Sequence, residues 1–135
     1  MINFFIIFYD YKTEKRMSRA SRLNDLIQQI EVMKLKKMYE ENKDLFDIIS
    51  KFIIKKKLML YGGLTINLLL PKKYRFYKDY TLNDFDCFSK DAYGHALELG
   101  TIIKKKGYKY VKIRKAKHQN TYRIYVNGIQ VIDIT

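Results

Sequence analysis

The dipeptide Asn127-Gly128 separates two alternating runs, Tyr122 to Val126 and Ile129 to Thr135. Asn-Gly adopts the positive φ values that a two-residue hairpin turn demands, so two antiparallel strands are expected here in a defined register. Counting outward from the turn pairs Val126 with Ile129, Ile124 with Val131 and Tyr122 with Asp133. An aspartate is thereby placed deep in a paired strand among isoleucines, where a carboxylate without a cation or hydrogen-bond partner is costly. Upstream, Val111 and Ile113 alternate with Lys112 and Arg114 and predict a further strand.

Two more acids lie in the stretch Asn83-Asp84-Phe85-Asp86-Cys87-Phe88-Ser89. If this stretch is extended, Asp84 and Asp86 point to the same side, because alternate strand residues share a face. Gly62-Gly63 precedes them at the head of an apolar segment, Leu64 to Leu70, which reads as a helix ended by Pro71. Glycines at a helix start let backbone N–H groups approach a phosphate, where the helix dipole also favours negative charge. The expected chemistry is therefore metal and phosphate chemistry. Asp84 and Asp86 hold Mg²⁺ or Mn²⁺, Asp133 completes the metal that activates an attacking hydroxyl, and Gly62-Gly63 seats a triphosphate. Each element is weak alone: a Gly-Gly pair also makes an ordinary turn, and an Asp-x-Asp also occurs on solvated strands.

Before the glycines, Leu26, Ile27, Ile30 and Met33 recur at helical spacing, and Leu45, Phe46, Ile49, Phe52 and Ile53 resume the pattern after Asn42. Two amphipathic helices are expected, the second ending at Lys55-Lys56-Lys57. Lys72 to Tyr80 reads as a basic, aromatic loop. A crossing helix is expected after Ser89 as N-cap, with Asp91 in its first turn, Ala92, Ala96, Leu99 and Ile103 as its buried stripe and Gly107 as its C-cap.

At 135 residues with 47% hydrophobic residues the chain has room for one domain with a genuine core. Lys and Arg number 27 against 14 acids, a net charge of +13, which attracts polyanions; RNA or DNA is the favoured partner, against a basic surface that serves only solubility. The single cysteine, Cys87, excludes an internal disulfide or multi-cysteine zinc site and is expected to pack. Met1 to Tyr9 is apolar but lacks a leading basic region and falls short of the ~20 residues of a membrane span, so no membrane partner is expected. Residues 1–16 are read as an N-terminal extension or, alternatively, an edge strand. No Gly-Lys-Ser/Thr, Gly-x-Gly-x-x-Gly or His-Glu-x-x-His is present, and an EF-hand beginning at Asp84 fails at Ser89 and His95. His95 and His118 are read as structural, and Lys73, Arg75, Arg114 and Lys117 as candidate phosphate contacts or solvated residues.

Leu60-Tyr61-Gly62-Gly63, Ile66 to Pro71, Asp84 to Ser89, His95-Ala96, Lys106-Gly107-Tyr108, His118, Thr121-Tyr122 and Val131 to Thr135 together resemble the nucleotidyltransferase domain of poly(A) polymerase catalytic subunits from large cytoplasmic DNA viruses. The resemblance covers roughly Asn42 to the C-terminus. It implies an α+β, polymerase-beta-like fold with a mixed or antiparallel sheet and flanking helices, spanning residues 17–135 and truncated relative to the family. It also implies transfer of AMP from ATP to an RNA 3′ end by a two-metal mechanism. Gly62, Gly63 and Asn67 would then contact the nucleotide, and Asp84, Asp86 and Asp133 would form the metal triad. RNA, a nucleoside triphosphate and a second subunit or downstream domain become the expected partners, and the cytoplasm of an infected cell, in a viral factory or virion, the expected location. Gly63 is followed by Leu64, with Thr65 one position later, where many superfamily members carry Ser directly after glycine. Two rivals stand beside this expectation: a minimal nucleotidyltransferase acting on a small molecule or protein, and a non-catalytic basic RNA-binding remnant.

Overall fold

The computed structural model describes residues 19–135, and the expectations for residues 1–16 lie outside these. The chain divides into two units, with the boundary between Lys37 and Met38. A single helix, α1 (Arg19–Lys56), crosses that boundary where two helices were expected. The intervening Lys34 to Glu41 contains neither Gly nor Pro, only residues that extend a helix readily. Asn42, which marked the expected break, instead donates its side-chain amide to the Met38 carbonyl one turn back, at 2.8 Å. In the first unit the apolar positions Leu23, Leu26, Ile27, Ile30 and Met33 are exposed.

The second unit is an α+β layer built on a five-stranded mixed sheet in the order β1-β2-β5-β4-β3. The strands are β1 (Met59–Tyr61), β2 (Phe85–Phe88), β3 (Val111–Lys115), β4 (Tyr122–Val126) and β5 (Ile129–Ile134). All neighbours are antiparallel except β2 and β5. α2 (Gly62–Leu69) follows β1 directly, and α3 (Ala92–Lys105) begins the crossover from β2 that returns through β3 and β4 to β5. Leu45, Ile49, Phe52 and Ile53 of α1 and Ala96, Leu99 and Ile103 of α3 form one core with Phe85, Cys87, Ile124, Val126, Ile132 and Ile134 of the sheet. The other sheet face carries Asp86, Phe88, Tyr125, Arg123, Asp133, Lys112 and Arg114, as alternation along each strand requires.

The hairpin forms at the expected turn, with φ of +51° at Asn127 and +83° at Gly128. Its register differs from the regular count. Val126 pairs with Ile129 and Tyr125 with Gln130, but then Ile124 pairs with Ile132 and Arg123 with Asp133, leaving Val131 as an extra residue. Regular pairing would have set Asp133 opposite Tyr122, on the helix-covered face. The bulge turns it to the open face and sets Ile132 opposite Ile124 in the core, with Val131 also buried.

At α3 the N-cap is Asp91 rather than Ser89: its carboxylate accepts from the Gly94 N–H at 2.9 Å. Ser89 lies two residues further out, accepting from the Asp91 N–H and bonding His95 Nδ1 at 2.6 Å. His95 also stands edge-on to Phe52, the structural role expected of it.

Nothing lies within 4 Å of where a Gly128 side chain would begin, so Gly128→Ala adds backbone strain without a clash. The expected loss is about 1 kcal/mol in urea unfolding, from placing Ala at positive φ. A neutral result would contradict the hairpin geometry.

Candidate active site

The open face concentrates its carboxylates where β2 and β5 run parallel. Asp86 lies in register with Asp133, and Asp84, one residue before β2, is on the same side by alternation. Gln130 of β5 bridges them, donating its amide to Asp84 Oδ2 and, at 3.4 Å, to Asp133 Oδ1. Asp133 is 6% exposed, and its charge is met by Arg123, directly opposite on β4. The guanidinium donates through Nε to Oδ1 at 2.8 Å and through Nη2 to Oδ2 at 2.5 Å, a two-pronged pairing that a planar fork makes with a carboxylate. Sequence reasoning passed over both Arg123 and Gln130. Their one signal is a polar residue recurring inside an apolar strand, on the face that the bulge selects.

Burial raises the Asp86 carboxyl above its ordinary value of 3.8, and the neighbouring Asp84 and Asp133 charges raise it further, while Arg123 opposes them. That surplus of negative potential suits a divalent cation, and three carboxylates are the hard oxygen donors that Mg²⁺ and Mn²⁺ take. Among the described residues no three His, Cys, Asp or Glu side chains yet converge on one point. Asp84 and Asp133 hold Gln130 and Arg123 instead, and converging on an ion requires them to exchange those partners.

α2 starts against this face. Gly62 has φ +77°, and a Cβ there would fall 2.5 Å from Asp86 Oδ2, so only glycine fits. A Cβ on Gly63 would meet the Tyr77 hydroxyl at 2.7 Å. The Gly-Gly pair thus allows two close approaches, one to a carboxylate and one to a loop tyrosine. Asn67 is buried, and its side-chain carbonyl accepts from the Phe76 and Tyr77 N–H groups at 2.9 Å each, clamping that loop to α2. Thr65 directs its hydroxyl to the Tyr61 carbonyl at 2.9 Å, inside the helix. Arg75 also turns inward to the chain, donating to the Leu70 carbonyl at 3.2 Å. Burial pushes the Cys87 thiol up to about 12, consistent with a packing role rather than a nucleophile.

The mixed sheet carries helices on one face and carboxylates on the other, next to a helix that begins in glycines, and a solved structure shares this fold. The crystal structure of the Megavirus polyadenylate synthase superposes with a TM-score of 0.75 at 30% identity, covering 93% of this chain and 26% of that one. The chain belongs to the poly(A) polymerase catalytic subunit family, whose profile matches residues 47–135. A protein of Acanthamoeba polyphaga mimivirus assigned as a poly(A) polymerase catalytic subunit is 29% identical over 131 residues, 93% of this chain and 22% of that protein. An African swine fever virus protein with the same assignment, from isolate Tick/Malawi/Lil 20-1/1983, is 38% identical over 90 residues, 66% of this chain and 19% of that protein. The chain therefore spans about a fifth of the length of these two relatives.

Two outcomes test the electrostatics of the face. Arg123→Met leaves the Asp133 carboxylate buried without its cation and is expected to cost about 1.5–3 kcal/mol. Asp133→Asn costs less, because the released guanidinium, with a third of its side chain exposed, can turn to water. Chemical denaturation of both variants reads the order, and a larger loss for Asp133→Asn would contradict it.

The second outcome concerns pH. Because Asp86 has a folded-state pKa above its unfolded one, ionising it opposes folding: the cost is complete above the folded value and vanishes below the unfolded value. Without metal, Asp86→Asn should therefore melt higher than the parent at pH ~7. The gap should close as the pH falls through the raised pKa toward the ordinary carboxylate range. Equal melting temperatures at neutral pH would remove the argument.

Proposed function

We propose that this domain transfers AMP from ATP to the 3′ hydroxyl of RNA, with Asp84, Asp86 and Asp133 as its metal-holding carboxylates. The observation that carries the reading is the register of Asp86 with Asp133 on an open sheet face, next to the glycine start of α2. Bound Mg²⁺ or Mn²⁺, two ions in the full mechanism, would supply charge neutralisation at the phosphates and a lowered pKa at the primer hydroxyl. The chain's own residues do the rest. Gly62 and Gly63 open the first turn of α2 to the triphosphate, and Asn67 holds the 76–77 loop that closes against Gly63. Arg123, through its two-pronged hydrogen bond, orients the Asp133 carboxylate on the open face until an ion takes its place.

The net charge of +13 favours RNA as the acceptor over an uncharged small molecule. The grip on base and primer is assigned to parts of such proteins outside the matched region, in the same polypeptide or in a partner subunit. The proposed location is the cytoplasm of an infected cell, at a viral factory or in the virion; that the relatives belong to large DNA viruses supports it. Among the described residues no helix is long and apolar enough to cross a membrane.

Labelled RNA, ATP and millimolar Mg²⁺ or Mn²⁺ provide the test. AMP addition should be RNA-dependent and fall about 10²–10³-fold or more in Asp84→Asn/Asp86→Asn. It should be slow with this chain alone and rise when the remainder of a relative is supplied, because positioning of the primer contributes much of the rate. Metal should also raise the melting temperature of the parent and not of the double variant. ATP consumption without RNA would favour the small-acceptor reading, and RNA binding with no metal response would favour the non-catalytic one.

A further inference from the structure

The open face carries more than carboxylates. Straight across the sheet at Asp133, the register runs Asp86 on β2, Asp133 on β5, Arg123 on β4 and Arg114 on β3. One row along it runs Gln130 on β5, Tyr125 on β4 and Lys112 on β3. Residues paired in register share a face. Val111 and Ile113 point the other way, toward α3, where they would meet a Cβ on Gly100, so Lys112 and Arg114 are fixed on the open side. Both are exposed, and the Arg114 guanidinium lies 5.7 Å from the centre of the Tyr125 ring.

Charge therefore changes sign across one surface, acidic over β2 and β5 and basic over β4 and β3. Arg123 is engaged with Asp133, and directly opposite Arg114 and Lys112 on β4 stand Arg123 and Tyr125, neither of them a carboxylate. Two strand spacings, about 10 Å, separate the Arg114 backbone from that of Asp133, a distance on the scale of one or two nucleotides. Arginine against an aromatic ring, with a lysine beside it, is the combination that grips single-stranded nucleic acid: cations take phosphates and the ring takes a base. Basic residues on an edge strand also deter sheet-to-sheet pairing, but that role requires neither Tyr125 nor alignment with the acid row.

We propose that Lys112, Arg114 and Tyr125 form the track of the acceptor strand, so that a single-stranded polynucleotide leaves its 3′ hydroxyl at the carboxylates and runs outward over β4 and β3. The inference rests on the transfer reading above and names the surface that reading requires.

A 5′-labelled oligoadenylate titrated at several salt concentrations tests it. In Lys112→Gln/Arg114→Gln the dependence of log K on log salt should become shallower by about 1.4, two single-strand phosphate contacts at about 0.7 each. Tyr125→Leu should weaken binding roughly fivefold or more with the slope retained, since a stacking contact carries no counterions. Lys104→Gln/Lys105→Gln, at the end of α3, is the control and should leave the slope closer to the parent's. On the unaltered protein, 4-thiouridine next to the 3′ end should crosslink to the segment 110–126, a readout independent of whether any variant folds. If the control pair lowers the slope as much as the β3 pair, or the crosslink falls elsewhere, the track is overturned while RNA remains the acceptor. No binding by the parent overturns the track and the RNA-acceptor reading together.

Discussion

One unpaired valine decides on which side of the sheet Asp133 lies. Val131 is an extra residue between two regular stretches of the β4–β5 ladder, and a single-residue insertion reverses the facing of everything beyond it. Before the bulge, Ile129 faces the core and Gln130 the open side; after it, Ile132 and Ile134 face the core and Asp133 the open side. Without the extra residue, Asp133 would lie beneath α3 among isoleucines, with neither Arg123 nor Asp86 beside it. The same shift aligns Arg123 with Asp133 and brings Gln130 within reach of two carboxylates, so the bulge supplies both the acid cluster and its partners.

Such a cluster needs those partners. Three carboxylates on one face repel, and the effect is visible at Asp86, whose ionisation is disfavoured by burial first and by its acidic neighbours second. Arg123 offsets the charge at Asp133, and Gln130 supplies hydrogen bonds that a carboxylate accepts without adding charge. No buried side-chain polar atom among the described residues lacks a hydrogen-bond partner.

How much was legible in the sequence varied with the range of the interaction. Local chemistry was plain: Asn127-Gly128 announced its turn through φ preference, and Asp84 and Asp86 announced a shared face through alternation. The bulge was not legible, because Val131 and Ile132 are both apolar and β-branched, so either could take the core position. Arg123 was lost with it, since its partner depends on register across two strands. The break placed near Asn42 misjudged a residue whose amide can bond the preceding turn. Ser89 reads as the N-cap, with Asp91 in the first turn, because both accept hydrogen bonds from backbone N–H groups two or three residues on and only the backbone path separates them.

The contact between Gly62 and Asp86 has a thermodynamic side. The first turn of α2 and a carboxylate of the acid face touch with no room for a methyl group between them. An anion drawn to that turn and a cation drawn to that carboxylate then alter each other's surroundings directly. Whatever factor one applies to the other's affinity must be returned in equal measure, because binding free energies around a closed cycle sum to zero. If the proposed function holds, triphosphate and divalent ion would be coupled reciprocally at this corner. A side chain at position 62 would fall on the Asp86 carboxylate and in a backbone conformation that strains it.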